Sequence, residues 1–79
     1  EHIYYIKTMK NNNNEIFYLT FGSKYPWHDG WVEVEAINYE MARKAVVEIF
    51  GNQWAWLYRE DEFKKSLFSD GKLGKTIVV

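Results

Sequence analysis

The sequence contains no cysteine and a single proline. Without cysteine, neither disulfide bonds nor thiolate metal sites can stabilise the fold, and nothing in the composition points to an oxidising compartment. No stretch approaches the roughly 20 apolar residues that a membrane-spanning helix needs, and no basic segment with a following apolar run opens the sequence. We therefore expect a cytoplasmic protein with no membrane role.

Neither sign of charge dominates the chain. Ten Lys and Arg against eleven Asp and Glu give a net charge of −1, so the chain lacks the basic field that dominates affinity for nucleic acids. Histidine is also scarce: the only two are His2 and His28, no carboxylate and histidine recur at metal-ligand spacing on one helix, and the glycines form no phosphate-binding pattern. The sequence predicts no metal site, no cofactor and no enzymatic activity.

The chain is rich in apolar residues. Of its 79 residues, 47% are hydrophobic, and 19% are Phe, Trp or Tyr. This composition is typical of a folded domain, and a chain of this length buries about 60 to 65% of the surface that its unfolded form exposes. We expect one domain, residues 1–79, with a limited core.

The clearest pattern predicts a helix from Tyr39 to Phe50. Asn38 is a favourable N-cap, and Gly51 provides the stop. Glutamates four residues to either side of Lys44 are spaced for ion pairs on the exposed side. Apolar residues at helical spacing predict the buried stripe, which comprises Ala42, Ala45, Val46, Ile49 and Phe50.

Runs rich in aromatic and β-branched residues predict strands. These runs are Ile3–Thr8, Glu15–Phe21, Trp31–Ala36, Gln53–Arg59 and Thr76–Val79. Four asparagines, Asn11 to Asn14, predict a turn that joins the first two strands as an antiparallel hairpin, and Asp61–Phe68 is predicted as a short helix. The order β-β-β-α-β-(short α)-β predicts an α+β fold, with the main helix on one face of a mostly antiparallel sheet of four to five strands.

The strand from Trp31 to Ala36 alternates between two kinds of side chain. Val32, Val34 and Ala36 share one face, which we expect to be buried. The other face carries Trp31, Glu33 and Glu35. If this strand and the strand Gln53–Arg59 are neighbours, the two glutamates and Glu60 to Glu62 form one acidic edge, a surface that fits a basic channel in a partner protein.

The loop from Gly22 to Gly30 contains Tyr25, Trp27, His28 and Asp29. An imidazole beside a carboxylate is a pair of groups used in general acid–base catalysis, so a small hydrolase centred on His28 is one hypothesis. No serine lies in a nucleophile-elbow context and cysteine is absent, which disfavours it. A loop histidine that caps the backbone or contacts a partner is the preferred interpretation.

A second aromatic group, Trp54, Trp56 and Tyr58, alternates onto one face of its predicted strand. Three interpretations are open for the aromatic residues. They fill the core of a small domain, they form a protein-binding surface, or they stack unpaired bases with Lys24, Arg59, Lys64 and Lys65 as the accompanying cations.

Read together, these segments resemble a group of small proteins encoded in bacteriophages and prophages. The resemblance covers about residues 16–60 and rests on Tyr18-Leu19-Thr20-Phe21-Gly22, His28-Asp29-Gly30, Trp31-Val32-Glu33-Val34-Glu35-Ala36, Ala42-Arg43, Phe50-Gly51, Trp54-Ala55 and Tyr58. It implies a viral origin and an inhibitor of a host system, such as an anti-CRISPR protein acting on a Cas nuclease. It supplies no catalytic residues.

The sequence thus predicts a non-enzymatic phage-type protein that binds and modulates a host protein, with Cas nucleases as the first partners to test. A single-strand nucleic-acid binder that uses exposed aromatic residues is the alternative. The predicted partner-binding residues are Tyr25, Trp27, His28, Asp29, Trp31, Glu33, Glu35, Trp54 and Trp56.

Overall fold

A computed structural model describes residues 13–79. In chain order the elements are β1 (Glu15–Thr20), β2 (Gly30–Ala36), α1 (Tyr39–Phe50), β3 (Trp56–Arg59), β4 (Gly71–Lys72) and β5 (Ile77–Val78). Two 3₁₀ turns, Glu60–Glu62 and Lys65–Leu67, lie between β3 and β4. The predicted α+β fold, one main helix with a sheet of five strands, is confirmed. The predicted strand Ile3–Thr8 lies outside the described residues.

The sheet is mixed, with the strand order β3-β1-β2-β4 and with β5 also beside β2. The two longer ladders, β1 with β2 and β1 with β3, are antiparallel. The two short ones, β4 and β5 with β2, are parallel, which was not predicted. Parallel pairing needs a crossover. The chain provides it after β3 by crossing the sheet to the far edge of β2.

Strand β1 lies inside the sheet. Phe17 to Thr20 have β2 on one side and β3 on the other. Over these residues both hydrogen-bonding edges of β1 are therefore occupied. The predicted hairpin involves Ile3–Thr8, which lies outside the described residues.

Helix α1 begins and ends as its sequence predicts. The Asn38 Oδ1 accepts a hydrogen bond of 2.8 Å from the backbone N–H of Met41, and the Gly51 N–H donates to the Val47 carbonyl at 2.9 Å. Gly51 has a φ of +64°, a conformation that glycine adopts readily. The predicted stripe is wrong at Ile49, which is 56% exposed, because Phe50 makes the contact with Phe21 at that end of the helix.

The core lies between α1 and one face of the sheet, called here the core face. Alternate residues of β1 and β2 point into it, as period-two alternation requires. Val34, Ala36, Ala42 and Val46 are fully buried. The whole core cluster comprises Phe17, Leu19, Phe21, Val32, Val34, Ala36, Ala42, Val46 and Leu57.

The opposite face of the sheet, called here the outer face, is crossed by the first part of the C-terminal segment (residues 60–79), whose last part supplies the strands β4 and β5. Phe63 stacks on Tyr18 with ring centres 4.6 Å apart and meets Trp31 edge-on at 5.8 Å. The predicted helix Asp61–Phe68 is wrong, since two 3₁₀ turns stand in its place. A helix of eight residues is not stable by itself. The contacts of Phe63 with the sheet, and the stacking of Phe68 on Phe63, decide the conformation of this segment.

Within residues 13–79, no helix combines the length and the apolar character that crossing a bilayer requires.

Candidate partner-binding surface

Aromatic side chains cluster at the end of the sheet where β1 ends and β2 and β3 begin. Four parts of the chain supply them: the end of β1, the loop 22–30, the C-terminal end of α1, and the start of β3 with the residues that lead into it. Phe21 lies in the centre, with its ring 5.6 Å from Phe50, 6.3 Å from Trp27 and 6.4 Å from Tyr25. We call this surface the aromatic end and define it as Phe21, Tyr25, Trp27, Phe50, Trp54 and Trp56.

The loop 22–30 is held by a series of turns. Backbone N–H groups of Tyr25, His28 and Gly30 each donate to the carbonyl three residues earlier, at 3.0 to 3.1 Å. These turns bring Tyr25 and Trp27 into a stack with ring centres 5.2 Å apart and planes 20° from parallel. The Lys24 Nζ lies 5.3 Å from the Tyr25 ring centre, within cation–π range. Trp27 remains 45% exposed.

Trp54 and Trp56 lie on opposite faces of the sheet, so the prediction that they share a face is wrong. Thr20 is opposite Trp56 in the register and also accepts a 2.8 Å hydrogen bond from the N–H of Ala55. Ala55 and Trp56 thus both lie opposite Thr20, as in a β-bulge, and the alternation of side chains between the two faces shifts by one residue there. Trp54 turns to the helix side, below Arg43, whereas Trp56 shares the outer face with Tyr58 and is 57% exposed.

His28 and Asp29 form a contact between neighbouring residues on the loop. The His28 Nδ1 lies 3.1 Å from the Asp29 Oδ1, and their side chains are 41% and 52% exposed. This is an ion pair only when the imidazole is protonated. The Asp29 carbonyl accepts a hydrogen bond from the N–H of Asp70 at 3.0 Å, which joins the loop to the C-terminal segment.

The other predicted binding residues form contacts inside the molecule. Trp31 is the second residue of β2 and lies near the aromatic end, but it is only 6% exposed because Phe63 and Lys65 cover it. Glu33 accepts a 3.1 Å hydrogen bond from Thr76 Oγ1 and lies 3.3 Å from Lys72 Nζ. Glu35 accepts from the Asn14 Nδ2 at 3.2 Å.

These contacts also decide the acidic-edge hypothesis. Strand β1 separates β2 from β3, so the condition that the two strands are neighbours is not met. Glu33 and Glu35 lie on β2 and are engaged by other side chains, whereas Glu60 to Glu62 follow β3. The carboxylates therefore do not form one edge.

Sequence reasoning did not connect Phe50 or Arg43 with the aromatic residues. Phe50 is the last apolar residue of the helical stripe, which predicts only that it is buried. Arg43 has its guanidinium carbon 5.8 Å from the Trp54 ring centre. No local pattern signals either contact, because both join the helix to residues outside it.

Within residues 13–79, no group of three or more His, Asp and Glu side chains is arranged to hold a metal ion. Comparisons of the chain with protein-family models, with curated proteins and with solved structures gave no match. The resemblance to the phage-encoded group therefore stays a prediction, and the aromatic end is interpreted from its own geometry.

Proposed function

We propose that this protein is a non-enzymatic, phage-type binding protein that acts in the host cytoplasm and inhibits or modulates a host protein. A CRISPR–Cas nuclease is the first partner to test. The observation that supports the proposal most is the exposure of two tryptophans, Trp27 at 45% and Trp56 at 57%, at the same end of the sheet.

Leaving these rings exposed is costly for so small a chain. A buried aromatic side chain removes about 150 to 250 Å² from water, and a domain of this size has little core to spare. Exposed Trp and Tyr are also enriched among the residues that dominate protein–protein binding. The Tyr25 stack holds Trp27 in place before any partner arrives, which reduces the entropy lost on binding.

The test is binding to purified CRISPR–Cas nucleases, together with inhibition of their DNA cleavage. We expect the unmodified protein to bind one of them and Trp27→Ala and Trp56→Ala each to weaken that binding by about tenfold or more, as for a hot-spot residue. Leu67→Ala is the matched control, since Leu67 is 72% exposed but lies in the C-terminal segment.

Two results would count against the proposal. If no nuclease of this class is bound, a Cas nuclease is excluded as the partner, and capture from host lysate with the same variants decides whether any other protein binds. If a captured partner binds Trp27→Ala and Trp56→Ala as tightly as the unmodified protein, the aromatic end is not the binding surface.

A single-strand nucleic-acid binder is the second candidate. The stack of Lys24, Tyr25 and Trp27 favours it, because a cation beside stacked rings is the arrangement on which unpaired bases pack, at about 1 to 3 kcal/mol per base. The net charge of −1 opposes it. Titrating single-stranded DNA at low salt and following tryptophan fluorescence separates the two: Trp27 emission changes if bases stack there.

A further inference from the structure

The outer side of α1 carries two charges that no carboxylate of residues 13–79 neutralises. Arg43 and Lys44 are both exposed. Glu40 and Glu48 are spaced to pair with Lys44, yet the ion pairs found in this range join other residues, His28 with Asp29 and Lys72 with Glu33. Both cations are therefore available to a partner.

A shallow groove runs beside these charges to the C-terminal end of the helix. It consists of two hollows of about 360 and 450 Å³ that share Arg43 and Val47. Its floor is apolar: Val47 is 41% exposed, and the ring of Trp54 and the methyl group of Ala55 continue the floor beyond the helix.

Trp54 is fixed in this position. Its Nε1–H donates a 2.9 Å hydrogen bond to the Gly51 carbonyl, and the N–H of Gln53 donates to the Phe50 carbonyl at 3.0 Å. The guanidinium of Arg43 lies over the indole ring. A guanidinium in this arrangement keeps its N–H donors at the edge of the groove, and its planar fork matches a carboxylate with two parallel hydrogen bonds.

We propose that this groove binds an acidic segment of a partner protein. A carboxylate side chain pairs with Arg43 and Lys44, and a neighbouring apolar side chain lies on Val47 and Trp54. The two cations favour a carboxylate through charge complementarity, and the apolar floor favours an apolar side chain next to it. Glu40 lines the groove and disfavours a continuous polyanion such as a nucleic-acid backbone. The inference rests on the proposed function, because it names the chemistry of the partner next to the aromatic end.

The test uses the full chain and a blocked ten-residue peptide in which Asp and Glu alternate with Leu and Phe. Binding is followed by NMR through the indole Nε1–H signal of Trp54 and the methyl signals of Val47. We expect both sets of signals to shift, and Arg43→Gln and Lys44→Gln each to weaken binding about tenfold, as for loss of a charged hydrogen bond. Lys75→Gln is the control, because Lys75 is an exposed cation on the C-terminal segment.

Three outcomes would overturn the inference. The first is no shift at Trp54 or Val47 with the acidic peptide. The second is equal binding of the matched peptide in which Asn and Gln replace Asp and Glu, since charge would then play no part. The third is tighter binding at these signals by a twelve-nucleotide single-stranded DNA, which would make the groove a nucleic-acid site.

Failure here is distinguishable from failure of the proposed function. Arg43→Gln and Lys44→Gln leave Trp27 and Trp56 intact, whereas the alanine variants at Trp27 and Trp56 leave the groove charges intact. If the peptide does not bind but the tryptophan variants lose the partner, only the acidic-segment inference falls. If the peptide binds and the tryptophan variants keep the partner, Trp27 and Trp56 are excluded as binding residues and the groove stands.

Discussion

The two faces of the sheet are covered in different ways. On the core face, α1 packs over side chains that are fully buried, among them Phe17, Leu19 and Val46. On the outer face, the C-terminal segment crosses with two 3₁₀ turns, neither of which contains a buried residue. Tyr18 and Trp31 are nevertheless 4% and 6% exposed, because the ring of Phe63 and the chain of Lys65 lie over them.

A small sheet can thus bury its second face with aromatic side chains in place of regular structure. One planar ring covers as much area as several aliphatic groups, so few residues are needed. The cover is less complete in its hydrogen bonding: the Nε1–H of Trp31 is buried and has no acceptor within residues 13–79. A buried donor without a partner costs about 1 to 3 kcal/mol. We therefore expect the outer face to contribute less stability than the core face.

The largest effect should come from the core face. Leu57→Ala removes a side chain that is 1% exposed, and we expect it to lower the free energy of unfolding by about 2 to 5 kcal/mol through lost burial and the cavity left behind. Urea unfolding followed by tryptophan fluorescence measures it. Leu67→Ala, at a 72% exposed position, should change stability by less than about 0.5 kcal/mol. Similar losses for both variants would contradict the assignment of the core.

A substitution on the outer face should lower the free energy of unfolding by a smaller amount. Phe63 is half-buried and touches Tyr18, Trp31 and Tyr58, so Phe63→Ala should cost about 2 to 3 kcal/mol, below the value for a fully buried phenylalanine. It should also shift the emission of Trp31 to longer wavelength as the ring meets water. Phe63→Leu, which keeps part of the apolar area, should lose less. A loss larger than that of Leu57→Ala would reverse the ranking of the two faces.

A substitution at the contact between β2 and the C-terminal segment should have an intermediate effect on stability. A Cβ on Gly30 would lie 2.6 Å from the side chain of Leu73, so Gly30→Ala should cost about 1 to 3 kcal/mol by overpacking. In a double-mutant cycle, Leu73→Ala should relieve part of that cost. Gly22→Ala is the control, because nothing lies within 4 Å of its Cβ position. Additive effects of the Gly30 and Leu73 substitutions would show that the two positions do not touch.

The smallest effect concerns the cation on the outer face. The Lys65 Nζ lies 5.3 Å from the Tyr18 ring centre and 5.2 Å from that of Trp31. Lys65→Gln should therefore lower the free energy of unfolding, measured by thermal unfolding, by about 0.5 to 1 kcal/mol, the range for an exposed cation–π contact. Lys64→Gln removes the neighbouring charge and should cost less. Equal effects would mean that net charge, and not the ring contact, is responsible.

Local sequence signals anticipated the parts of the fold that local physics controls. The bounds of α1, the Asn38 cap and the Gly51 stop follow from backbone hydrogen bonding within one turn, so they could be predicted. The alternation in β2 likewise predicted that Val32, Val34 and Ala36 share the core face. Alternation gave the wrong face for Trp54, just before β3. The run Trp54–Tyr58 is apolar at every position, so its pattern does not reveal a shift of one residue in the strand pairing.

The candidate site was predicted only in part. The loop that holds Tyr25, Trp27, His28 and Asp29 was recognisable from its turn residues, but the stack of the two rings and their contact with Phe21 were not. Trp31, Glu33 and Glu35 were predicted as partner-facing because alternation places them opposite the core. Nothing local showed that the C-terminal segment lies over that face.

Local patterns in the chain were enough to predict the α+β composition, the helix with its caps, and which face of β2 is buried, because each of these depends on interactions between residues a few positions apart. Three features depend instead on contacts across the folded molecule: the parallel pairing of β4 and β5, the cover over Trp31, and the meeting of loop, helix end and β3 at the aromatic end. Those features join residues distant in the chain, and their energies arise only when the whole sheet has formed.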